Sequence, residues 1–79
     1  MNTLLLKSKR ALFKVTQKDM ADKLGITYVT YSLKENGKLE FTRKEISTIS
    51  KVLNLKLEDI NEIFFDSEIT KRIISKGGI

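Results

Sequence analysis

Apolar side chains recur along the first 64 residues at the spacing of amphipathic helices, with short polar breaks between the runs. Met20, Ala21 and Leu24, for example, share one helix face. Two of the breaks carry glycine, at Gly25 and Gly37, and proline is absent from the chain. Because glycine commonly ends helices, the pattern predicts five of them. Their expected ranges are about 2 or 3 to 13, 17–24, 28–35, 42–53 and 57–64.

Three threonines stand where helices should begin. Thr16, Thr27 and Thr42 each precede a helical run, and a threonine hydroxyl in this position accepts a hydrogen bond from a free backbone N–H, worth about 1 kcal/mol. Thr42 and Glu45 also have the spacing of a capping box. The side chains expected to face inward are Leu5, Leu12, Phe13, Met20, Ala21, Leu24, Ile26, Tyr31, Ile46, Ile49, Val52, Leu53, Ile60, Ile63 and Phe64.

Residues 66–79 form a C-terminal tail that follows the predicted helical domain of residues 1–65. Ile69, Ile73 and Ile74 have the spacing of one helix face, but the run from Thr70 to Ile74 fits a short strand equally well. Both alternatives stay open at this point. A strand in this tail could pair with its counterpart in a second copy of the chain.

The composition excludes most chemistry. The chain has 79 residues and contains neither cysteine nor histidine, so disulfides, thiolate metal sites and the usual general base are absent. Glu58 and Asp59 are adjacent carboxylates, but at a helix start the helix dipole explains them. We therefore expect no enzyme, no metal site and no cofactor. Since no apolar run approaches the roughly 20 residues of a membrane span, a cytoplasmic protein that does not bind membranes is expected.

The charge is positive and unevenly distributed. Fifteen Lys and Arg stand against ten Asp and Glu, a net charge of +5. Residues 1–56 hold 12 basic and 5 acidic side chains, whereas residues 57–79 hold 3 basic and 5 acidic ones. This uneven distribution of charge favours binding of a polyanion in one orientation over non-specific electrostatic binding.

Two short predicted helices, 17–24 and 28–35, are joined by the turn Gly25-Ile26-Thr27. A short glycine-containing turn between two helices is typical of a helix-turn-helix, whose second helix enters the major groove of DNA. Ala21 is small enough to let the two helices approach closely, and Ile26 and Tyr31 would fill the angle between them. The unit spans about residues 17–36.

The sequence resembles a known family at this point. TQKDMADKLGIT (residues 16–27) is similar to the helix-turn-helix signature of the phage Cro and repressor type, also called the XRE family. YSLKENGK (31–38) and LKLEDINEIF (55–64) resemble its continuation and its last helix, so the likeness covers about residues 4–65. It implies an all-α, five-helix lambda-repressor-like domain. It further implies a sequence-specific double-stranded-DNA-binding transcriptional regulator, a repressor of phages or mobile elements of Gram-positive bacteria.

The resemblance also implies roles for individual residues. Arg10 and Glu35 match a salt bridge that ties the first helix to the end of the third. The positions matching base contacts are Thr27, Tyr28, Val29, Ser32 and Leu33. The positions matching phosphate contacts are Gln17 at a helix N-terminus and a second clamp made by Asn36, the N–H groups near Gly37 and Lys38, the Lys38 side chain and Arg43.

Positions 33 and 34 depart from the family. Relatives often carry Arg or Gln where this chain has Leu33, and a large apolar residue where it has Lys34. Two interpretations follow. The third helix could be rotated to bury Leu33, or the reading face could be unusually apolar. In the second case Tyr28, Val29 and Leu33 would favour thymine methyl groups, and DNA shape would add specificity.

The expected partner is a double-stranded DNA operator, bound by a homodimer because one small module binds weakly. The candidate dimer contacts are Ile60, Phe64, Phe65, Ile69 and Ile73. Two alternatives remain. The face of the third helix could instead bind another protein, such as an antagonist of the regulator, or the chain could be an antitoxin that represses its own operon.

Overall fold

Residues 1–65 are described by a computed structural model, in which helices account for all of the regular structure of this range. The elements are α1 (Thr3–Leu12), α2 (Gln17–Leu24), α3 (Tyr28–Glu35), α4 (Arg43–Val52), α5 (Leu57–Ile60) and a π-helical turn (Asn61–Phe65). The predicted all-α, five-helix fold is confirmed. Ile69, Ile73 and the rest of the predicted tail lie outside the described residues. In the part that is described, none of the helices is long and apolar enough to cross a membrane.

Local capping sets where the central helices begin. The Thr16 hydroxyl accepts from the Asp19 N–H at 3.0 Å, and the Asp19 carboxylate accepts from the Thr16 N–H at 3.2 Å. Thr42 and Glu45 form the predicted capping box, with distances of 3.1 and 2.8 Å. Thr27 caps α3 through the Thr30 N–H at 3.1 Å. All three predicted caps are confirmed, and α2 and α3 have the predicted bounds.

Four helices end on a residue with positive φ. Gly25 and Gly37 follow α2 and α3 with φ of 71° and 80°, as predicted, but Lys14 (56°) and Asn54 (50°) hold the same conformation after α1 and α4. In each case the next N–H donates back into the helix, as Val15 does to the Arg10 carbonyl at 3.0 Å. Lysine has a Cβ that disfavours this backbone conformation, so α1 ends at a strained residue.

Replacing Lys14 by glycine is therefore expected to stabilise the protein by about 0.5–1 kcal/mol, because glycine adopts a positive φ without the Cβ clash. Urea unfolding followed by circular dichroism measures the change. Lys14→Ala is the matched control, since it removes the same charge but keeps the Cβ. A glycine variant no more stable than the alanine variant would contradict the expectation.

The core lies where α1, α2, α3, α4 and the π-helical turn meet. α2 packs most extensively on α3, and it also packs on α4, while α1 contacts α3 and the π-helical turn. The fully buried apolar side chains are Leu6, Met20, Ala21, Tyr31, Ile49, Leu53 and Ile63. Of the other residues predicted to face inward, Leu5, Leu24, Ile26, Val52 and Phe64 pack against this core while remaining partly exposed.

The buried face of α1 differs from the prediction. Leu12 and Phe13 were expected inside, but they are 73% and 45% exposed, so this prediction is wrong. Leu6 is fully buried instead, and Arg10, one turn later on the same face, reaches Glu35. Leu12 lies off the face that Leu6 and Arg10 share, and Phe13 follows the last residue of α1, so neither side chain is held in the core.

The fifth helix is shorter than predicted. It is α-helical over Leu57–Ile60 and continues as a π-helical turn through Phe65, whereas the sequence predicts one α-helix to residue 64. Ile60, Ile63 and Phe64 share a face in an ordinary α-helix, so their spacing does not distinguish it from the wider turn. The carbonyl of Ile63 accepts from the Asn2 N–H at 2.7 Å, which ties the turn to the start of α1.

Candidate nucleic-acid interface

The two helices of the predicted helix-turn-helix pack as expected. Ala21 is 1% exposed at their contact, and Tyr31 is fully buried below it. The intervening turn places Ile26 against the same core, and its N–H donates to the Ala21 carbonyl at 3.0 Å. The sequence therefore predicted the unit correctly, including the residues that fill the angle between the helices.

The five predicted base-reading positions comprise four residues of α3 and its N-cap, Thr27. Tyr28, Val29 and Leu33 are 53%, 64% and 41% exposed. Thr27 is exposed and Ser32 half-buried, so each of the five side chains reaches solvent. Tyr31 and Glu35 of the same helix are fully buried and belong to its inward side. The structure thus brings the base-reading candidates together on one accessible surface, which we call the reading face (Thr27, Tyr28, Val29, Ser32 and Leu33).

The question left open at positions 33 and 34 has a structural answer. Leu33 is exposed, so α3 is not rotated to bury it. Lys34 lies against α4, where its ammonium Nζ is 2.6 Å from the Glu45 carboxylate and both side chains are 12% exposed. The lysine stem fills the place of an apolar residue while its charge is paired. Since Leu33 stays on the surface, the reading face is unusually apolar.

A buried carboxylate joins the three helices that carry the interface. Glu35 on α3 is fully buried and accepts two hydrogen bonds from Arg10 on α1, from Nε at 2.8 Å and Nη2 at 2.9 Å. It also accepts from the Gln17 amide on α2 at 2.9 Å and from the Tyr31 hydroxyl at 2.6 Å. The predicted Arg10–Glu35 salt bridge is confirmed, and Gln17 and Tyr31 are additional partners of Glu35.

Glu35 and Glu45, like the exposed Asp19, have lowered pKa values. Burial alone would raise the pKa of Glu35, but the hydrogen bonds from Arg10, Tyr31 and Gln17 hold it below its ordinary value of 4.5. Burial likewise opposes ionisation of Glu45, whose pKa is lowered by Lys34 and by the Thr42 N–H. A carboxylate whose pKa falls on folding stabilises the folded state above its unfolded pKa, and this stabilisation disappears as the pH falls through the folded pKa.

We therefore expect the free energy of unfolding to be constant between about pH 6 and 7, where no side chain of this histidine-free sequence titrates, and to fall below about pH 4.5. Urea unfolding at a series of pH values measures it. A Glu35→Gln variant should show a shallower decline, because it lacks one of the three carboxylates with a lowered pKa. Stability that persists unchanged down to about pH 3 would contradict this account.

The side chain of Gln17, predicted to contact phosphate, is already engaged within the protein. Its side-chain amide donates to Glu35, so that donor is held inside the polar cluster. Its backbone N–H lies in the first turn of α2, where N–H groups have no partner within the helix. The role of Gln17 toward phosphate stays a prediction, with the backbone N–H as the available group.

The second predicted clamp lies at the C-terminal end of α3. Asn36, Lys38 and Arg43 are all exposed there and at the start of α4. The N–H groups of Gly37 and Lys38, however, donate to the Lys34 and Leu33 carbonyls at 3.1 and 2.9 Å. Because the backbone donors are occupied by the end of the helix, side chains are the donors that this clamp can offer to phosphate.

The described dimer candidates lie at the end of α5 and in the π-helical turn. Ile60 and Phe65 line a surface groove with Phe41, Ile46 and Leu55. Phe64 instead packs on the core, with its ring 5.7 Å from that of Phe41 in an edge-to-face arrangement. The groove is mixed in character, because Arg43, Ser47, Ser50, Lys51 and Asn54 complete its lining.

Comparison with known proteins identifies the domain. The Helix-turn-helix family model matches residues 6–60, more than half of the chain. The protein YqaE of Bacillus subtilis strain 168, named an uncharacterized HTH-type transcriptional regulator, is 39% identical over 71 residues. That match covers 84% of this chain, and the chain spans 61% of the length of YqaE. No solved structure matches the chain significantly.

Two archaeal proteins are similar over most of their own length. MJ0272 of Methanocaldococcus jannaschii, also named an uncharacterized HTH-type transcriptional regulator, is 42% identical over 55 residues, covering 70% of this chain and 83% of MJ0272. A protein of the same description from Archaeoglobus fulgidus is 36% identical over 63 residues, with coverages of 80% and 86%. The chain belongs to the helix-turn-helix family of the Cro and repressor (XRE) type.

Proposed function

We propose that this chain is a sequence-specific double-stranded-DNA-binding regulator that represses transcription by placing α3 in the major groove. The exposed reading face carries this proposal, since the other face of α3 is fixed in the core by Tyr31 and Glu35. An α-helix with its side chains is about 10–12 Å across, which fits a major groove about 12 Å wide. The relatives named HTH-type transcriptional regulators support the same function.

The side chains of the reading face limit the bases that α3 can recognise. Tyr28, Val29 and Leu33 offer apolar contact, which suits the thymine methyl group in the major groove. Thr27 and Ser32 add hydroxyls that can donate or accept. Since this face lacks a side chain able to make paired hydrogen bonds to guanine or adenine, we propose a thymine-rich half-site whose recognition depends partly on DNA shape.

The phosphate contacts fix the register of the helix on the duplex. We assign them to the start of α2 through Gln17 and to the end of α3 through Asn36, Lys38 and Arg43. Contacts of this kind carry no sequence information but provide most of the salt-dependent affinity. Arg10 pairs with the buried Glu35 carboxylate at 2.8 Å, so that negative charge is compensated within the fold.

Two copies are proposed to bind together, because one eight-residue helix reads few base pairs. Half-sites recognised by a symmetric dimer lie one turn of DNA apart, about 34 Å. The apolar part of the groove, formed by Phe41, Ile46, Leu55, Ile60 and Phe65, supports a contact at this end of the molecule. Phe64, and Ile69 and Ile73 of the tail, complete the candidate dimer contacts.

Selection of the purified protein against a randomised duplex library near physiological salt tests the proposal. A palindrome with thymine-rich half-sites about one helical turn apart is the expected result. A single short half-site would retain the DNA-binding function and contradict the dimer. The absence of any enriched sequence would contradict sequence-specific regulation.

A second candidate function is binding to another protein through the reading face. Its three exposed apolar side chains favour this alternative, since such a patch can also form the centre of a protein interface. The double variant Lys38→Met and Arg43→Met separates the two functions. DNA binding should weaken and become less dependent on salt in this variant, whereas binding to a protein partner through α3 should remain.

We propose a setting in the cytoplasm of a Gram-positive bacterium, on a phage or mobile element. The resemblance of residues 31–38 to regulators of such elements supports it. Sequencing the flanking genes tests it. Neighbouring phage or transposition genes would agree with the proposal, whereas an adjacent toxin gene would indicate an antitoxin instead.

A further inference from the structure

A lysine of α1 reaches the clamp at the end of α3. The Lys7 ammonium donates to the Asn36 side-chain oxygen Oδ1 at 2.8 Å, a contact that joins residues 29 positions apart. The Asn36 nitrogen Nδ2 donates to the Ser32 carbonyl at 2.9 Å. The Asn36 amide is thereby held from both sides, and its orientation is fixed before any ligand arrives.

The orientation of this amide matters for an anion. An amide oxygen directed at a phosphate would repel it, but Lys7 occupies that oxygen. Nδ2 carries two hydrogens, of which one is used by Ser32, and a lysine ammonium carries three, of which one is used by Asn36. The pair therefore retains three N–H donors on exposed or half-buried side chains.

The charge of Lys7 is not neutralised by the fold. In residues 1–65 the ion pairs join Lys9 to Asp59, Arg10 to Glu35 and Lys34 to Glu45, and Lys7 takes part in none of them. Its one described polar contact is to a neutral amide. A half-buried cation with a neutral partner retains the ability to bind an anion, whereas Lys9 and Lys34 already face carboxylates.

The backbone at this place cannot supply the donors. The N–H groups of Gly37, Lys38 and Leu39 all donate to carbonyls of α3, at 3.1, 2.9 and 3.3 Å. A phosphate at the end of α3 therefore depends on side chains. The side chains of Asn36 and Lys7 are hydrogen-bonded to each other at this place.

We propose that Lys7 contacts the DNA phosphate at the C-terminal end of α3 together with Asn36, and that it orients the Asn36 amide for that contact. This inference rests on the proposed function and extends the interface to α1. Because phosphate contacts carry no sequence information, Lys7 contributes equally to operator and non-operator binding.

The test measures the dependence of DNA affinity on salt, using a mixed-sequence duplex of about 20 base pairs and the full chain. Lys7→Met is expected to reduce the slope of log affinity against log salt by about 0.9, and to weaken binding by close to tenfold at about 0.1 M salt. Lys7→Gln keeps N–H donors on a side chain one bond shorter but is neutral, so it should show the same reduction of the slope. Lys7→Arg should keep it.

Lys9→Met is the matched control, because it removes the same charge from the same helix at a lysine already paired with Asp59 at 3.7 Å. The inference is overturned if Lys7→Met changes the slope no more than Lys9→Met, or if Lys7→Gln keeps the full slope. Thermal unfolding of each variant establishes that it is folded at the assay temperature, and Lys7→Gln and Lys7→Arg decide the question should Lys7→Met fail to fold.

Parallel measurements on Lys38→Met and Arg43→Met distinguish a failure of the Lys7 inference from a failure of the proposed DNA-binding function. If those variants lower the slope and Lys7→Met does not, Lys7 lies away from the phosphate and the DNA-binding function stands. If none of the three lowers the slope, the proposed DNA interface itself is wrong.

Discussion

A Glu35→Ala variant is expected to lose about 3–5 kcal/mol of its free energy of unfolding, the largest effect of any single substitution considered for this chain. Glu35 is fully buried and is the common acceptor for Arg10, Gln17 and Tyr31. Its removal leaves the Arg10 guanidinium without its ionic partner and two neutral donors without their acceptor. Unsatisfied groups of this kind cost far more than the net gain from forming the bonds.

This loss is large beside the stability of a domain of this size. At roughly 0.05–0.15 kcal/mol per residue, 79 residues provide about 4–12 kcal/mol. Since 1 kcal/mol corresponds to roughly 4–8 °C in a domain of this length, the melting temperature should fall by at least about 12 °C. Thermal and urea unfolding followed by circular dichroism measure both quantities.

Two further variants identify the cause. Glu40→Ala removes an exposed glutamate five residues after Glu35. This variant should change the free energy of unfolding by no more than about 0.5 kcal/mol. Glu35→Gln keeps the size and one acceptor oxygen, so its loss should lie between those of the two alanine variants. A Glu35→Ala protein that is as stable as Glu40→Ala would show that the polar cluster does not hold the three helices together.

A Val29→Glu variant is expected to lose more than about 100-fold in DNA affinity while its melting temperature stays the same. Val29 is 64% exposed at the second position of α3, where a carboxylate is compatible with the helix dipole. In the major groove that carboxylate would face a strongly negative surface, and such like-charge contacts cost several kcal/mol. Fluorescence anisotropy with the selected duplex measures the change.

Leu4→Glu is the matched control for this variant. Leu4 also occupies the second position of a helix, α1, and is 74% exposed, so the substitution makes the same change of charge and polarity elsewhere on the surface. Its DNA affinity should remain within about threefold of the original. Equal losses in the two variants would mean that net charge, and not the position on α3, governs binding.

Sequence reasoning succeeded where the determining contacts are local. Thr16, Thr27 and Thr42 cap helices through residues three positions away, so the starts of α2, α3 and α4 follow from short segments. The reading face followed from the resemblance, and in the structure each of its side chains reaches solvent. The Arg10–Glu35 pair was also predictable because the resemblance supplied a partner 25 positions away.

Sequence reasoning failed where contacts between residues far apart in the sequence determine the position of a side chain. Hydrophobicity alone misplaced Leu12 and Phe13, because Arg10, which reaches Glu35, shares the inward face of α1 with Leu6 and the helix ends at Leu12. The position of Lys34 depends on Glu45, eleven residues later on another helix. The contact between Lys7 and Asn36 spans 29 residues, and no periodic pattern in the sequence indicates it.

The division of α3 into two faces has an evolutionary consequence. Tyr31 and Glu35 carry the packing and the buried polar contacts, whereas Tyr28, Val29 and Leu33 lie outside the hydrophobic core. Substitutions at the second set change the surface offered to DNA with little effect on folding. A lineage carrying this domain can therefore acquire new operators by a few exposed replacements, and operator choice and fold can diverge at different rates.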